Sequence, residues 1–599
     1  MKKLLILLIV LLCGFGMLFA VNNQKIYPID SEVYEAITHL YIANGYALPS
    51  TAGPWSGEEL LFWLNKISPD ELSEQGKSLF NWIKNTIEEP QKPEAFRLGL
   101  DVAAEGYAHT NTTEHFQGRE NWRRGFNEQK PFVNIYSDAW IGQNFYGYSE
   151  FSLRNSITLT NVSFGETALS SNIIVVPPHD VKQIDFNFPY RAFLAAGGKN
   201  WNVQIGREQL SWGPGTTGNF IIGDHLPYHN VIRATGFEKN FKYTLLTSFF
   251  PHPQNYYYYG TDHEDKVYIE GVPDSRGQEQ YINGISLFMG HRLEWRVWQD
   301  KINIALTEGI MYMSKDNRLD FIALSPAMLW HNNYTRSLTN SILALEVDAT
   351  LLKGWNIYAQ TVIDEMILPG EPIPGKPGED KAEPSAWGYM LGSTYQAFAG
   401  KGVWHLNIEG AYTDPFLYLR DGGMQTDNTG RFQKKGQYGI NYVVAVREQA
   451  GAGGSTRYNE HFLGYQYGGD AIVGNLNGGY RVFDKWNVEG NLFYMAHGSF
   501  DKWTVWSQIN GTSNPSEPPK TPTVGHPNAA WGNQNDDNPT NRDAISHTFV
   551  LGASGSYAFL PNLTLYGQVD YIYIKNPKNR QANGSVSDMQ FSLGVLYSL

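Results

Sequence analysis

The sequence predicts a mainly β protein, a large antiparallel transmembrane β-barrel of about 18 strands with a small N-terminal helical domain. Aromatic residues make up 14% of the 599 residues and glycine accounts for 60 of them, whereas charged residues make up only 18%. Apolar and polar residues alternate along many segments after Phe96, and short connections alternate with long ones. A barrel that turns one face of each strand to lipid and the other to a polar interior explains all of these features.

The composition also excludes several other classes of protein. The net charge of −13 provides no basic surface for nucleic acid. A single cysteine excludes a disulfide framework and a cysteine-ligated zinc site. The mean hydropathy of −0.37 excludes a bundle of membrane-spanning helices.

The first twenty residues predict a secretory signal peptide. Lys2 and Lys3 precede an apolar run that extends to Phe19, and we expect cleavage after Ala20. Cys13 lies within this segment, so we expect the mature chain to contain no thiol. The alternative, a lipoprotein cysteine, requires small residues before it, whereas the chain has leucines there.

Residues 21–93 predict a helical domain, which we call the head. Apolar residues recur at helical spacing up to Asn44-Gly45, a pair that resembles a C-cap. Ser56-Gly57-Glu58-Glu59 is a capping box for a second helix. Ser68-Pro69-Asp70-Glu71 is read as a second box that opens a third helix ending near Pro90. A domain of this size is near the lower limit for independent stability, so we expect it to lean on a larger structure.

Residues 94–599 predict the barrel, and the tight turns give its strand count. We read them at 142–144, 197–200, 238–240, 299–301, 353–354, 400–402, 483–485 and 560–562. These eight hairpins, together with a first strand near 96–108 and a last near 588–599, give eighteen strands. An even number places both barrel ends and the head on the periplasmic side.

The nine remaining connections are longer and are expected to be extracellular. They fall at 109–130, 155–185, 212–231, 251–280, 314–340, 366–386, 414–468, 499–545 and 575–587. The segment 414–468 leaves an alternative open, because Ile440–Val446 could add a strand pair and raise the count to twenty.

The alternation assigns a set of polar side chains to the barrel interior. They are Asp101, Glu105, Arg292, Glu294, Arg296, Glu346, Asp348, Asn356, Gln360, Asp364, Glu489, Gln568 and Asp570. One interpretation is a network of ion pairs and hydrogen bonds that holds the barrel's shape. The other is a polar path or a sugar-binding site.

Aromatic residues beside polar ones in the long connections suggest carbohydrate recognition. Tyr256 to Tyr259 are consecutive, Trp330 precedes His331 and Asn332, and a third loop contains Trp503 and Trp506. Flat aromatic faces cover the C–H side of a sugar ring, while fixed donors and acceptors bind its hydroxyls. The alternative is the aromatic girdle that such barrels carry at the membrane interface.

No motif indicates catalysis, a metal or a cofactor. There is no Gly-x-Ser-x-Gly elbow, no His-Glu-x-x-His pair and no Ser-His-Asp arrangement. Four histidines (His225, His229, His252 and His263) and the Asn- and Asp-rich segment 533–543 lack a recognisable metal-ligand spacing. We therefore expect neither an enzyme nor a metal or cofactor site.

One segment is more specific than the rest. Gly206 to Gly215 reads Gly-Arg-Glu-Gln-Leu-Ser-Trp-Gly-Pro-Gly and leads to Gly218 to Ile222 and then to Asp224. It resembles the Trp-Gly-Pro-Gly signature of the Wzi family of capsule-assembly outer-membrane proteins, at Trp212, Gly213, Pro214 and Gly215. Further similar positions are Arg292–Trp295, Thr307-Glu308, Tyr358–Gln360 and Asp364-Glu365, with Pro28, Asp30, Tyr34, Leu40, Gly45, Pro49 and Trp55 in the head.

The resemblance implies an eighteen-stranded outer-membrane barrel with a periplasmic helical bundle. It also implies that the protein binds capsular or other surface polysaccharide and helps attach it to the cell surface, without catalysis. The expected partners are that polysaccharide, outer-membrane lipid and the barrel assembly machinery. The competing hypothesis is a porin or an oligosaccharide-specific channel. The candidate ligand-binding residues are Trp212, Tyr256, Tyr257, Tyr258, Trp330, Arg292, Glu294 and Arg296.

Overall fold

The computed structural model describes most of the head and barrel and parts of the long connections. The described residues are 22–88, 96–111, 129–155, 163–164, 167–174, 184–185, 190–253, 281–314, 319, 330, 339–366, 372–373, 376–380, 385–419, 424–426, 432–434, 440–449, 456–500, 502, 519–524 and 542–599. The predicted signal peptide, Tyr256–Tyr259, His263, the Trp503–Trp506 pair and the segment 533–541 lie outside them.

Three helices form the head, as predicted. They are α1 (Glu32–Asn44), α2 (Gly57–Leu64) and α3 (Glu74–Ile87). Gly45 adopts φ 81° after α1, a left-handed conformation that glycine reaches without steric cost. At the start of α2 the Ser56 hydroxyl accepts a hydrogen bond from the Glu59 N–H, as expected for an N-cap. None of the described helices is long and apolar enough to cross a membrane.

The predicted start of the third helix is wrong by five residues. Ser68-Pro69 opens only a single 3-10 turn, Pro69–Glu71. Leu72 then adopts an extended conformation with ψ 148°, which breaks the helix. Ser73 provides the actual cap of α3, because its hydroxyl accepts from the Gly76 N–H.

Eighteen strands form the closed antiparallel barrel, so the predicted count is confirmed. In chain order they are β1 (Phe96–His109), β2 (Val133–Ile141), β3 (Phe145–Asn155), β4 (Ala192–Gly198), β5 (Trp201–Glu208), β6 (His229–Glu238), β7 (Phe241–Pro253), β8 (Tyr281–Val297), β9 (Ile302–Ser314), β10 (Thr339–Leu352), β11 (Trp355–Glu365), β12 (Ala386–Ala399), β13 (Gly402–Thr413), β14 (Ala471–Val482), β15 (Trp486–His497), β16 (Ser546–Leu560), β17 (Leu563–Lys575) and β18 (Ser585–Ser598). Pairing of β18 with β1 closes the ring.

The alternative of twenty strands is wrong. Val443–Gln449 and Thr456–Phe462 pair with each other as a separate hairpin and do not enter the barrel sheet. All eight predicted tight turns join neighbouring barrel strands. We call the end of the barrel where these turns lie the tight-turn end. The opposite end, where the long connections lie, is the long-loop end.

The two faces of the barrel wall differ as the alternation predicts. Along β18, Phe591, Leu593, Val595 and Tyr597 point outward and are 36–71% exposed, a surface suited to lipid. The intervening Gln590 points inward and is buried. The outer face is therefore apolar, and what fills the interior determines what the barrel can do.

Candidate functional site

The inner wall from β6 to β11 carries a cluster of seven buried charged side chains. Arg233, Lys242, Arg292, Glu294, Arg296, Glu346 and Asp348 all point inward and are at most 3% exposed. Charged groups are rarely buried unless they are paired. The structure supplies their partners from the head.

The head reaches these charges with a loop of residues 46–56, which we call the head loop. The Arg292 guanidinium donates to the carboxylates of Glu294 (2.6 Å) and Glu346 (2.8 Å). It also donates to the hydroxyl of Thr51 in the head loop, at 2.8 Å. The Thr51 hydroxyl in turn donates to Glu346 at 2.6 Å. A buried charge network on the barrel wall is thus completed by a residue of the head.

Further hydrogen bonds join the barrel wall to the main chain of the head loop, and we call this region of the wall the seat of the head loop. Arg296 donates to the carbonyl oxygens of Ala47 and Leu48. The Leu48 N–H donates to the Asp348 carboxylate at 2.6 Å. These bonds fix the main chain of the head loop, so its position does not depend on a single side chain.

Lys242 and Glu59 form a fully buried ion pair between β7 and α2. The Lys242 ammonium lies 2.5 Å from Glu59 Oε1, and both side chains are inaccessible to solvent. The ammonium also donates to the Ser50 hydroxyl at 2.8 Å and to the Ala52 carbonyl at 3.3 Å. Glu59 therefore binds the barrel through its carboxylate and donates to the N-cap of α2 through its main-chain N–H.

A second segment enters the lumen from the long-loop end. Residues 209–228, which we call the lumen turn, contain the Trp-Gly-Pro-Gly sequence. Ser211-Trp212 pair with Ala52-Gly53 of the head loop as a two-residue antiparallel ladder. The Gly213 N–H donates to the Thr51 carbonyl at 3.0 Å. The head and a long connection thus meet inside the barrel and are hydrogen-bonded to each other.

Glu409 on β13 holds the tip of the lumen turn. Its carboxylate accepts from the Thr216 N–H (2.7 Å), the Thr217 N–H (2.8 Å), the Thr217 hydroxyl (2.6 Å) and the Tyr358 hydroxyl (2.7 Å). Glu409 is only 2% exposed. Hydrogen bonds to a buried carboxylate are charge-assisted and among the stronger ones in proteins.

The tight fold of the turn explains why glycine occupies position 213. Gly213 adopts φ 137°, and a Cβ there would lie 2.2 Å from Asn219 Oδ1 and 2.5 Å from Gln360 Nε2. The Asn219 amide oxygen accepts from the Gly215 N–H and from Gln360. The Asn219 side chain therefore fixes the tight conformation of the turn, and it occupies the space that a Cβ at position 213 would need.

The connection after β13 packs above the lumen turn. The Tyr418 hydroxyl donates to the Phe220 carbonyl at 2.6 Å and accepts from the Tyr465 N–H at 2.9 Å. The Tyr418 and Tyr442 rings stack with centroids 5.5 Å apart. Trp212, Phe220, Tyr442 and Tyr465 belong to one buried apolar cluster with inward residues of the wall. Apolar packing therefore fills the lumen above the polar seat.

His225 links the lumen turn to Phe462, in the separate hairpin between β13 and β14. The environment of His225 predicts that the stability of the lumen turn depends on pH. Its Nε2 lies 2.8 Å from the Phe462 carbonyl, to which it donates as the neutral ring. Burial lowers the pKa of His225 to about 4. When the lumen turn is released, the ring is exposed to water and its pKa returns to about 6.5. The folded turn is therefore destabilised as the pH falls from about 6.5 to about 4, by up to roughly 3 kcal/mol.

This loss should be local to the lumen turn. Hydrogen exchange of residues 209–228 at pH 7 and pH 4.5 measures it, with faster exchange expected at pH 4.5 after correction for intrinsic rates. His225→Gln keeps a donor but cannot titrate in this range, so it should reduce the difference. An unchanged pH dependence in His225→Gln would show that other groups control it.

The structure brings together some of the predicted ligand-binding residues and not others. Arg292, Glu294 and Arg296 lie in the lumen at the seat of the head loop, and Trp212 is buried in the lumen turn. Trp330 packs over the outer face of β8, where its ring lies 4.5 Å from that of His291. Tyr256, Tyr257 and Tyr258 are outside the described residues. Their role in ligand binding stays a prediction.

Sequence reasoning missed three residues that hold the interior together. Lys242, Glu409 and Asn219 were not singled out. Neither Lys242 nor Glu409 was among the residues assigned to the interior, and their partners lie 183 positions away for Lys242 and 192 or 193 positions away for Glu409. Among the described residues there is no group of three or more His, Cys, Asp or Glu placed to hold a metal ion.

Comparison with solved structures supports the fold. Wzi of Escherichia coli, described as an outer membrane protein involved in group 1 capsule assembly and a carbohydrate-binding β-barrel, superposes with a TM-score of 0.53. The identity is 13%, and the match covers 96% of this chain and 99% of Wzi. This likeness shows a shared outer-membrane barrel fold.

The outer membrane channel DcaP and OccAB4, both of Acinetobacter baumannii, match less well. DcaP has a TM-score of 0.34 and 8% identity over 84% of this chain and 97% of its own. OccAB4 has a TM-score of 0.37 and 9% identity over 84% and 98%. No protein-family model and no curated protein sequence matches the chain.

Proposed function

We propose that this protein is a non-catalytic outer-membrane barrel that binds surface polysaccharide and helps attach it to the cell surface. The observation that carries the proposal is that two segments of the chain plug the lumen. The head loop and the lumen turn enter from opposite ends and join at Ser211-Trp212, with buried ion pairs and apolar packing around them. Segments fixed in this way oppose free diffusion through the lumen, which favours binding over transport.

The shared fold with a barrel described as carbohydrate-binding agrees with this function. In this proposal the long-loop end faces outward and presents aromatic side chains to the glycan, with Tyr256, Tyr257 and Tyr258 as the first candidates. The buried positions of Trp212, Arg292, Glu294 and Arg296 favour a supporting role in the interior. The head then lies in the periplasm, and the barrel assembly machinery inserts the chain among outer-membrane lipids.

Deletion of the gene is expected to release polysaccharide from the cell surface into the medium, because the glycan loses its protein anchor. The measurement is the cell-bound fraction of the polysaccharide after centrifugation, compared with the deletion strain complemented by the wild-type chain. Complementation with a Tyr256→Ala/Tyr257→Ala/Tyr258→Ala variant tests the aromatic contact. Equal cell-bound fractions in the deletion and wild-type strains would contradict the proposal.

Conductance in planar lipid bilayers separates this function from the competing one. A barrel with a fixed plug should carry little steady current, whereas a porin or oligosaccharide channel should carry a large one. A large steady current from the wild-type protein would favour the channel hypothesis.

A further inference from the structure

The inner wall has a second sector whose chemistry differs from the seat of the head. Across β15–β18, six of the inward residues near mid-height carry small uncharged polar side chains, and Glu489 and Tyr566 lie among them on the same face. The six are Asn487, Asn491, Ser554, Ser556, Gln568 and Ser592. Ser554, Gln568 and Ser592 are direct cross-strand partners, so they form a continuous row. We call this set the neutral sector.

Solvent reaches the neutral sector but not the charged one. All six residues of the neutral sector are partly exposed, although they face the lumen, and of these the Ser592 hydroxyl oxygen is itself buried. The inward charges of β6–β11 named above are at most 3% exposed under the head loop. Asn491 and Ser554 form no side-chain hydrogen bond with other described residues. The lumen therefore contains an unfilled space along this sector.

Buried side chains form the upper limit of this space. Above the neutral sector, the inward residues of β15–β17 become Phe493, Val550 and Ile572, which are buried in the apolar cluster with Tyr465 of the connection after β13. On β18 the inward residues at this height are the buried Gln590 and Asp588. Toward the tight turns, Thr564 and Ser598 remain partly exposed. The space is thus closed by packing above and reaches the tight-turn end below.

The head is hydrogen-bonded to several places at the tight-turn end of the barrel. Side chains of the head bond to the turn after β2 through Asn22, to Asp300 and Asn240 through Lys66, and to Arg481 through Glu35. Arg481 also donates to Glu489 on β15 at 3.0 Å, so this side chain links the head to the edge of the neutral sector. The route from the tight-turn end into the space lies along β15–β18.

The lining selects for neutral, hydroxyl-rich ligands. Amide and hydroxyl groups both donate and accept hydrogen bonds, as sugar hydroxyls require. Two carboxylates border the row, with Glu489 opposite Ser554 and Asp570 accepting from Gln568 at 2.6 Å. The bordering cation is Arg481, whose guanidinium is already shared between Glu489 and Glu35 of the head. Like charges repel at short range, so an anionic chain is disfavoured there.

We propose that the neutral sector lines a blind vestibule, open at the tight-turn end, that binds a segment of an uncharged oligosaccharide. This inference rests on the proposed function and adds to it a second, interior contact with glycan. In the proposed orientation, the vestibule takes its ligand from the periplasmic side, before or apart from any contact at the long loops.

Single-cysteine variants test the vestibule, in a C13S background of the full chain reconstituted in nanodiscs. Ser554→Cys should react with a trimethylammonium methanethiosulfonate reagent about 100-fold faster than Ser248→Cys, because thiol reactivity follows access to solvent. Ser248 is the matched control, since it also faces the lumen but is fully buried on β7. Circular dichroism and heat-modified gel migration establish that both variants are folded.

Protection by ligand tests the binding. Maltoheptaose should slow the labelling of Ser554→Cys by about five-fold near saturation, and an oligogalacturonate of equal length should not. Equal labelling rates for the two cysteines would overturn the vestibule. Rapid labelling without protection by maltoheptaose, or equal protection by the anionic chain, would overturn the assigned ligand class. The proposed function is tested by a different measurement, the cell-bound fraction of polysaccharide. The vestibule and the proposed function can therefore be contradicted independently of each other.

Discussion

Replacing Arg292 by alanine is expected to lower the free energy of unfolding by about 3–5 kcal/mol, because two buried carboxylates lose the guanidinium that they share. Glu294 and Glu346 are each 3% exposed and lose their shared partner, while Thr51 loses one of its two bonds to the wall. The measurement is urea unfolding in detergent micelles, followed by tryptophan fluorescence. The head loop should also become accessible to protease.

Arg97→Ala is the matched control for this prediction. Arg97 is an exposed arginine on β1, so its loss should change stability by less than about 0.5 kcal/mol. A triple variant, Arg292→Met with Glu294→Gln and Glu346→Gln, should recover much of the loss, since a neutral set of similar volume has no uncompensated charge. A destabilisation by Arg292→Ala no larger than that by Arg97→Ala would show that the network does not seat the head.

Replacing Glu409 by alanine should release the lumen turn and open a path for ions. Four donors lose their acceptor at once, and two of them are main-chain N–H groups of Thr216 and Thr217. Leaving buried donors unsatisfied costs about 1–3 kcal/mol each, so we expect a loss of at least about 3 kcal/mol in the stability of the turn. The measurements are hydrogen exchange of residues 209–228 and single-channel recording in planar bilayers.

Two comparisons make this prediction specific. Glu409→Gln keeps one acceptor oxygen and should give an intermediate effect on exchange. Glu238→Ala removes an exposed carboxylate at the end of β6 and should change neither exchange nor conductance. If Glu409→Ala raises hydrogen exchange without raising current, the remaining apolar packing around Tyr418 and Tyr465 closes the lumen by itself.

The local pattern of the sequence was sufficient for the barrel wall. A strand has a side-chain period of two, so lipid-facing Leu593 and lumen-facing Gln590 could be assigned from neighbouring residues alone. Tight turns are likewise encoded locally, and all eight were found. The error at the third helix arose because two serines that can cap a helix, Ser68 and Ser73, lie five residues apart. Leu72 between them is extended and buried in the core of the head, so the helix begins after the second serine.

The candidate site could be predicted only in part. Alternation showed that Arg292, Glu346 and Asp348 face the interior, but it left open whether they line a path or hold a structure. Their partners are residues of the head loop, about 240 to 300 positions away. The Trp-Gly-Pro-Gly sequence was recognised, while Glu409, the acceptor that holds its turn, was not.

The sequence by itself therefore determined the wall of this protein: eighteen strands, their inward and outward faces, and a small helical head. Only the tertiary structure decided what occupies the interior. The reason is physical, since a strand's two faces are set by adjacent residues, whereas a buried charge is satisfied by whichever distant group the closed barrel brings within hydrogen-bond distance. That choice placed the head loop against β6–β11 and left the neutral sector, along β15–β18, accessible to solvent.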